Sequence, residues 1–456
     1  MTTAFADRAG VAAQPPMTDP SVERETIRAV SIRLLPFLFV LYIFSYLDRT
    51  NVSIAALQMN KELNFSPTAY GFGAGIFFLG YALFEVPSNL ILTRVGARRW
   101  IARIMVTWGL LACAMMLVRT PVQFYVARFL LGVAEAGFFP GVVYYLGNWF
   151  PASHRARALS VFFIAIPLSS VLSGVIGGTL LGLSGVWHLS GWQWLFLVEG
   201  LPPVFLGLVV LAYLTERPEE ATWLPTHQRD WLSRRLEQER ELAAPAHVSP
   251  LRALGNPLVL ILSIPYFAQY TVSLGYQLWG PTLVRDALGT SNSTTSLIIA
   301  GIFLYSALIY PLAAMLSDRW DERCAFPALG LAFMCTGCIG MALLPHSPFR
   351  VAALVLLATG SPTLLGSFWC LPTRFLKGPA AAAGIALIAG VGATGGFVGP
   401  YLIGLLKRTS GSDVGAFYGL AALALVGSFV CIGLRRTAVL QPRPRVITVL
   451  SAAQKT

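Results

Sequence analysis

Six ionisable residues lie inside long apolar stretches of this sequence, where a charged side chain is costly to insert: Asp48, Arg49, Glu85, Arg128, Glu135 and Glu199. Four of them form a set of matched sign. The run Tyr46-Leu47-Asp48-Arg49-Thr50-Asn51 falls within the stretch 31–58, and Tyr42, Tyr46, Arg49 and Ser53 recur at i, i+4, i+7 and i+11, one face of a helix. Arg128 and Glu135, seven residues apart in 122–147, share a face with about 10.5 Å between them along the axis. Asp48 is turned about 100° from Arg49, so the two point to different neighbours. Two acids and two bases on separate helices read as a cross-paired cluster. With both acids ionised its charges cancel, and protonating one acid frees a guanidinium to bind an arriving carboxylate bidentately. The chemistry is proton-linked anion binding, with Asp48 and Glu135 as proton carriers and Arg49 and Arg128 as anion ligands. A second reading stays open: ion pairs that only lock two helices together, although a Leu-rich interface would do so without the desolvation cost. Glu85, beside Val86-Pro87, and Glu199, beside Gly200-Leu201-Pro202-Pro203, read as structural partners of loops or freed backbone groups.

A cavity wall for such a site follows from periodicity. Tyr266, Tyr270, Ser273 and Gln277 fall at i, i+4, i+7 and i+11, a polar stripe on an otherwise apolar helix. An aromatic residue in a span more often fills space than touches a ligand, so the stripe as a whole carries more weight than any one member.

The elements that position these residues must cross a membrane. Of 456 residues 55% are hydrophobic and 12% charged, with a mean hydropathy of +0.66, far from the roughly 25% charge of a soluble domain. The apolar residues gather into twelve stretches of about 20 residues or more, enough to span a ~30 Å hydrocarbon core. They lie near 31–58, 68–92, 100–118, 122–147, 155–182, 192–215, 256–284, 294–317, 325–344, 350–373, 380–406 and 413–434. The net charge of +12 would point to nucleic acid in a soluble chain. With both termini in the cytoplasm, however, 25 of the 33 Lys and Arg residues fall on the cytoplasmic side, so the basic balance reports topology and attraction to anionic lipid. The expected organisation is a cytoplasmic tail over 1–30, a six-helix bundle over 31–215, a cytoplasmic linker over 216–253, a second six-helix bundle over 254–434 and a tail over 435–456. Within the linker, Gln228–Glu241 has the mixed-charge spacing of a short surface helix and reads as a solvated connector.

Enzyme chemistry has no foothold in the motifs. The sequence has no His-Glu-x-x-His, no Gly-x-Ser-x-Gly and no Gly-x-x-x-x-Gly-Lys-Ser/Thr, so neither a hydrolase nor a nucleotide-driven pump is indicated. Cys113, Cys324, Cys335, Cys338, Cys370 and Cys431 all sit in or at the ends of apolar spans and read as small buried apolar residues. No short apolar core with a cleavage site precedes the first span, so no cleaved signal is expected.

Two halves of equal span count suggest duplication, and a repeated mark supports it. The loop after the second span reads Thr93-Arg94-Val95-Gly96-Ala97-Arg98-Arg99, and that after the eighth reads Asp318-Arg319-Trp320-Asp321-Glu322-Arg323. Here the chain resembles the major facilitator superfamily, whose halves each carry a Gly-x-x-x-Asp-Arg/Lys-x-Gly-x-Arg/Lys-Arg/Lys loop. The second copy keeps Asp318-Arg319, whereas the first has Thr93 for the usual Asp and Asn89 for Gly. The resemblance implies a gating role for Arg94, Arg98, Asp318 and Arg319. Tyr46-x-Asp48-Arg49-x-Asn51 together with Arg128-Phe129-Leu130-Leu131-Gly132-Val133-Ala134-Glu135-Ala136-Gly137 is similar to the anion:cation symporter branch, which takes up tartrate, phthalate and sugar acids. That resemblance implies protonatable Asp48 and Glu135, anion-binding or gating Arg49 and Arg128, and cavity positions at Tyr46, Tyr81, Ser367 and Trp369. Where the branch often has two Asn in span 11, this chain has Ala389 and Ala393 before Gly395-Gly396-Phe397-Val398-Gly399-Pro400. The resulting expectation is an all-α membrane protein of twelve transmembrane helices in two six-helix pseudo-repeats. It would act as a monomeric inner (plasma) membrane symporter of a small organic carboxylate, a hydroxy-dicarboxylate such as tartrate, with protons as coupling ion and no other cofactor, and with membrane lipid but no nucleic acid among its partners. Aromatic or sugar acids as substrate, and exchange or uniport without proton movement, are the alternatives.

Overall fold

Helices start where the sequence supplies both a cap and a proline. Ser66 accepts from the Ala69 amide ahead of Pro67, Thr120 and Gln123 form a reciprocal capping box around Pro121, and Asn256 accepts from the Leu258 amide ahead of Pro257. The computed structural model describes residues 20–242, 255–320, 323–344, 347–376 and 378–437. The first half contains α1 (Pro20–Glu62), α2 (Pro67–Val95), α3 (Ala97–Ala114), α4 (Pro121–Glu135), α5 (Phe138–Gly147), α6 (Ala152–Leu181) and α7 (Gly191–Tyr213). After α8 (Thr226–Leu242), the second contains α9 (Pro257–Leu288), α10 (Asn292–Trp320), α11 (Ala325–Leu343), α12 (Arg350–Phe368), α13 (Pro372–Phe375), α14 (Gly378–Thr409) and α15 (Val414–Leu434). Among the described residues, eleven segments are long and apolar enough to cross a membrane, α4 and α5 counting as one, and the 30-residue α6 completes two sets of six. The fold is all-helical.

Three elements differ from the sequence expectation. The helix expected as continuous over 122–147 breaks between α4 and α5, because Gly137 adopts φ +85°, a left-handed conformation that glycine enters without a side-chain clash. The break is satisfied from α2: Ser88 Oγ donates to the Ala136 carbonyl at 2.6 Å and accepts from Trp100 Nε1 at 2.9 Å. α1 begins at Pro20, so the last third of the expected tail is helical and buries Thr26 and Val30. The linker is docked rather than solvated. Leu224, Trp231, Leu232 and Leu236 are buried, Trp223 stacks on Trp149 at 5.5 Å, and Arg33 lies over the rings of Tyr213 and Trp223 at 4.7 and 4.8 Å. Mixed charge hid this apolar stripe. Of the cysteines expected to be buried, Cys324, Cys335, Cys338 and Cys431 are; Cys370 is exposed and Cys113 half-buried.

The halves are held together at the end opposite the basic loops. Tyr70 Oη donates to the Leu278 carbonyl at 2.6 Å, Arg285 Nη1 to the Leu57 carbonyl at 2.7 Å, Ser293 Oγ to the Gly178 carbonyl at 3.1 Å and Thr68 Oγ1 to the Gly404 carbonyl at 3.2 Å. Small residues let the backbones meet there. A Cβ on Gly71 would sit 2.5 Å from the Pro400 carbonyl oxygen, and one on Gly174 2.7 Å from that of Ser296.

Candidate functional site

The site is built on the middle of α1 and the end of α4. Asp48 and Arg49, adjacent on α1, diverge as their helical rotation requires. Arg49 turns to α4, where its Nε and Nη2 lie 2.7 and 2.6 Å from Oε1 of Glu135, and Ser45, one turn earlier, donates to that same oxygen at 2.6 Å. Glu135 is fully buried, and its Oε2 has no hydrogen-bond partner. It is the last residue of α4, so the Gly137 break fixes where its carboxylate stands. Asp48 turns to α3: Trp108 Nε1 donates to Oδ2 at 2.6 Å and Asn51 Nδ2 donates to Oδ1 at 2.8 Å.

Arg128 does not complete the expected cross-pairing. It is fully buried, yet its one hydrogen bond is a long 3.4 Å contact from Nη2 to the Ala74 carbonyl, with Nε and Nη1 unpartnered. Its guanidinium lies 4.7 Å over the ring of Phe77. The cluster therefore holds one acid–base pair, one acid held by neutral donors, and one buried cation with unused N–H groups. This asymmetry depends on helix rotation, which the order of charges along the chain does not encode.

Aromatic rings join the cluster to the second half. Arg49 lies 5.8 Å over Tyr46 and 4.8 Å over Tyr81, Tyr81 stacks on Phe77, and Phe78 meets Tyr270 edge-on at 6.4 Å. Tyr270 contacts Tyr266, which stacks on Phe368 at 5.4 Å and meets Trp369 at 4.8 Å. Tyr46, Tyr81, Tyr266, Tyr270 and Trp369 thus fall along one aromatic band that runs from Arg49 into the second half. The rest of the α9 stripe is not. Ser273 accepts from Gln269, which also donates to Ser361 of α12 at 2.8 Å, inside the second half. Gln277 lines a separate small crevice with Ile299, Phe303 and Leu354. A stripe on one helix face keeps its direction, but about 16 Å of rise separates Tyr266 from Gln277, and the neighbouring helices change over that length. Ser367 is buried with its Oγ unpartnered, beside Phe368 of the band.

The expected gating residues are spread over one end. Arg94 and Arg319 are exposed, and the Arg98 amide, with that of Ala97, donates to the Glu216 carboxylate at 3.0 and 2.7 Å. Glu216 thereby caps the start of α3, where an acidic group is favoured by the helix dipole. The Asp318 side chain lies outside the described residues.

Sequence reasoning missed Ser45, Trp108, Gln269 and Ser361. Ser45 stands one turn before Arg49 and could have been found from that spacing; Trp108 lies in an apolar run and gave no signal.

A two-half helical membrane fold with buried charge at its centre defines a multi-pass membrane transporter, not an enzyme. The Major Facilitator Superfamily model matches residues 38–400, and the chain belongs to that family. It is 45% identical over 427 residues to an Agrobacterium vitis protein named "Putative tartrate transporter", covering 91% of this chain and 96% of that one. It is 40% identical to the "Quinolone resistance transporter" of Acinetobacter baumannii, covering 89% and 94%. Among solved structures, a bacterial homologue of the human lysosomal transporter Spinster, inward-facing and occupied, superposes with a TM-score of 0.73 at 18% identity, covering 90% of this chain and 98% of that one.

Proposed function

We propose that this transporter takes up a small organic carboxylate together with protons, a hydroxy-dicarboxylate such as tartrate being the substrate. The observation that carries the reading is Arg128, a fully buried guanidinium with Nε and Nη1 unused, two turns along α4 from the Glu135 that holds Arg49. In a low-dielectric interior such N–H groups favour an anion strongly, and a carboxylate matches their fork geometry. Protonation of Glu135 releases Arg49, so that both guanidinium groups face the incoming anion; loss of the proton restores the Arg49–Glu135 pair and expels it. Asp48 serves as the second proton carrier. The name of the Agrobacterium vitis relative supports tartrate.

The charge bias of the loops supports a bacterial inner-membrane location with both termini in the cytoplasm. In that orientation the end closed by Tyr70–Leu278 and Arg285–Leu57 faces outward, and transport proceeds by rocking of the two halves about the central cluster in a monomer. The band of Tyr266, Phe368 and Trp369 favours a second reading, an aromatic carboxylate. Uptake of labelled tartrate into proteoliposomes, with and without an imposed inward proton gradient, tests the proposal. Accumulation only with the gradient is expected; equal uptake without it identifies an exchanger or uniporter, and stimulation by aromatic acids alone identifies the second reading.

A further inference from the structure

Among the described residues, Glu199 is a buried acid within a membrane span that the mechanism above leaves unused and that has no basic partner. It lies on α7, which packs against α3, α1 and α6, and it is only 4% exposed. Neither oxygen has a donor at full hydrogen-bonding geometry, the Asn51 amide only approaching the carboxyl, so Glu199 holds no loop and satisfies no freed backbone group, contrary to the structural role its Gly-Pro neighbourhood suggests. Its carboxyl lies beside the Asn51 amide, with Asp48 next in line. From α3 it is approached by Cys113, whose thiol packs against Gly200, while Ala158–Leu181 of α6 and the Met115–Leu117 turn hold no ionisable residue.

The two acids flanking Asn51 are treated oppositely by their surroundings. Asp48 receives two donors, Trp108 Nε1–H and Asn51 Nδ2–H, as suits a carboxylate. Glu199 receives none, and Asn51 Oδ1, also buried, accepts from nothing. Three buried acceptors without a donor among them are costly to maintain, and a single proton on Glu199 removes the conflict by supplying an O–H to Asn51 Oδ1.

We propose that Glu199 is a proton-binding site in its own right, protonated in this conformation and hydrogen-bonded to Asn51, and that through Asn51 it positions the Asp48 carboxylate. With Glu199 protonated, the amide is oriented so that Nδ2 donates to Asp48 and favours its ionised form. With Glu199 ionised, the amide turns over, Nδ2 donates to Glu199, and Asp48, left with Trp108 Nε1–H as its one donor and now facing Asn51 Oδ1, holds a proton that it donates to that oxygen. The pair carries one proton in either arrangement, bound to Glu199 in the first and to Asp48 in the second. The positioning role rests on the proton-coupled reading given above; the resident proton does not.

Infrared difference spectroscopy of the full-length protein in lipid nanodiscs near neutral pH, wild type against Glu199→Gln, reads the proton directly. Loss of a protonated-carboxyl C=O band in Glu199→Gln is expected, as is a shift of that band to higher frequency in Asn51→Leu, where its acceptor is gone. A band of unchanged intensity in Glu199→Gln overturns the resident proton. The pH profile of uptake reads the positioning role: Glu199→Gln, whose amide N–H replaces the acid O–H, keeps the wild-type midpoint, and Glu199→Leu moves it by about one pH unit. A Glu199→Leu profile superimposable on wild type overturns the positioning role. Absence of any proton-gradient effect in the wild type defeats the coupling reading, while the infrared result still decides the proton on Glu199.

Discussion

Arg49 and Glu135, 86 positions apart in the chain, meet through one oxygen: both Nε and Nη2 of the guanidinium converge on Oε1, leaving Oε2 without a partner. The pair is therefore an end-on clasp rather than a two-oxygen fork, and its carboxylate keeps one oxygen free to receive a proton. A single protonation would change the charge of the pair by one and weaken it, as the proposed coupling requires. A helix-locking bridge would gain by using both oxygens.

Glu135→Gln keeps the size of the side chain and removes the titratable group. Tartrate accumulation driven by a proton gradient should fall to the level reached by equilibration, while exchange of labelled for unlabelled tartrate persists. Counterflow and gradient-driven uptake measured in the same proteoliposomes separate these steps. Gradient-driven accumulation at the wild-type level would remove Glu135 from coupling.

Arg128→Ala removes the buried cation whose Nε and Nη1 lack partners and which is proposed to bind the anion. Truncating one member of a desolvated charge pair costs about 2–5 kcal/mol, so substrate affinity should fall by at least about 30-fold. Arg128→Lys should recover part of the loss, since a lysine supplies the charge without the planar fork. Ligand-induced thermal stabilisation of the purified variants measures both values. Tartrate stabilising Arg128→Ala as well as it stabilises the wild type would place the anion elsewhere.

The contrast between these two arginines marks what the chain order conveys. Charge sign and helix-face arithmetic brought Arg49 to Glu135 and separated Asp48 from Arg49, since both follow from 100° per residue and from the cost of an unpaired charge in lipid. The twelve spans were equally readable, because each is a local run of apolar residues. Arg128 was not: whether it reaches an acid depends on the rotation of α4 about its axis, which is set by its packing on α2, Gly132 against the Phe77 carbonyl and Gly80 against that of Phe129. The docked linker helix was obscured because its apolar residues are interleaved with charges, and Glu199 because only the coordinates reveal that nothing donates to it.

Gly137→Ala tests the break that ends α4. A side chain at φ +85° carries a left-handed penalty of about 1–2 kcal/mol. Its Cβ would also meet Ser88 Oγ and displace it from the Ala136 carbonyl, a further loss of about 1 kcal/mol. The variant should melt several degrees lower and lose uptake, because Glu135 loses its fixed position beside Arg49. Ser88→Ala, which forfeits only the hydrogen bond, should lower stability less. A Gly137→Ala protein as stable and active as wild type would mean that the break is not required.

The seal between the halves gives a prediction about direction of opening. Gly404 of α14 faces the Pro67 carbonyl so closely that any side chain must push the two helices apart, and Gly71 is as tightly set against Pro400. These contacts lie beside the Tyr70–Leu278 and Thr68–Gly404 hydrogen bonds, so a wedge there opposes closure of this end alone and leaves the Arg49–Glu135 clasp untouched. Gly404→Val should therefore shift the population toward the state open at this end, slow net uptake and retain tartrate binding. Tyr70, fully buried in the sealed form, provides the probe. With Cys113 and Cys370 replaced by serine, a Tyr70→Cys protein in intact cells should react slowly with a membrane-impermeant maleimide added outside. Adding Gly404→Val should make it react markedly faster. Because the reagent reaches only the outer surface, the same experiment fixes the orientation: labelling unchanged by the wedge, with faster reaction only in inverted vesicles, would place the sealed end in the cytoplasm and reverse the topology argued from the basic loops.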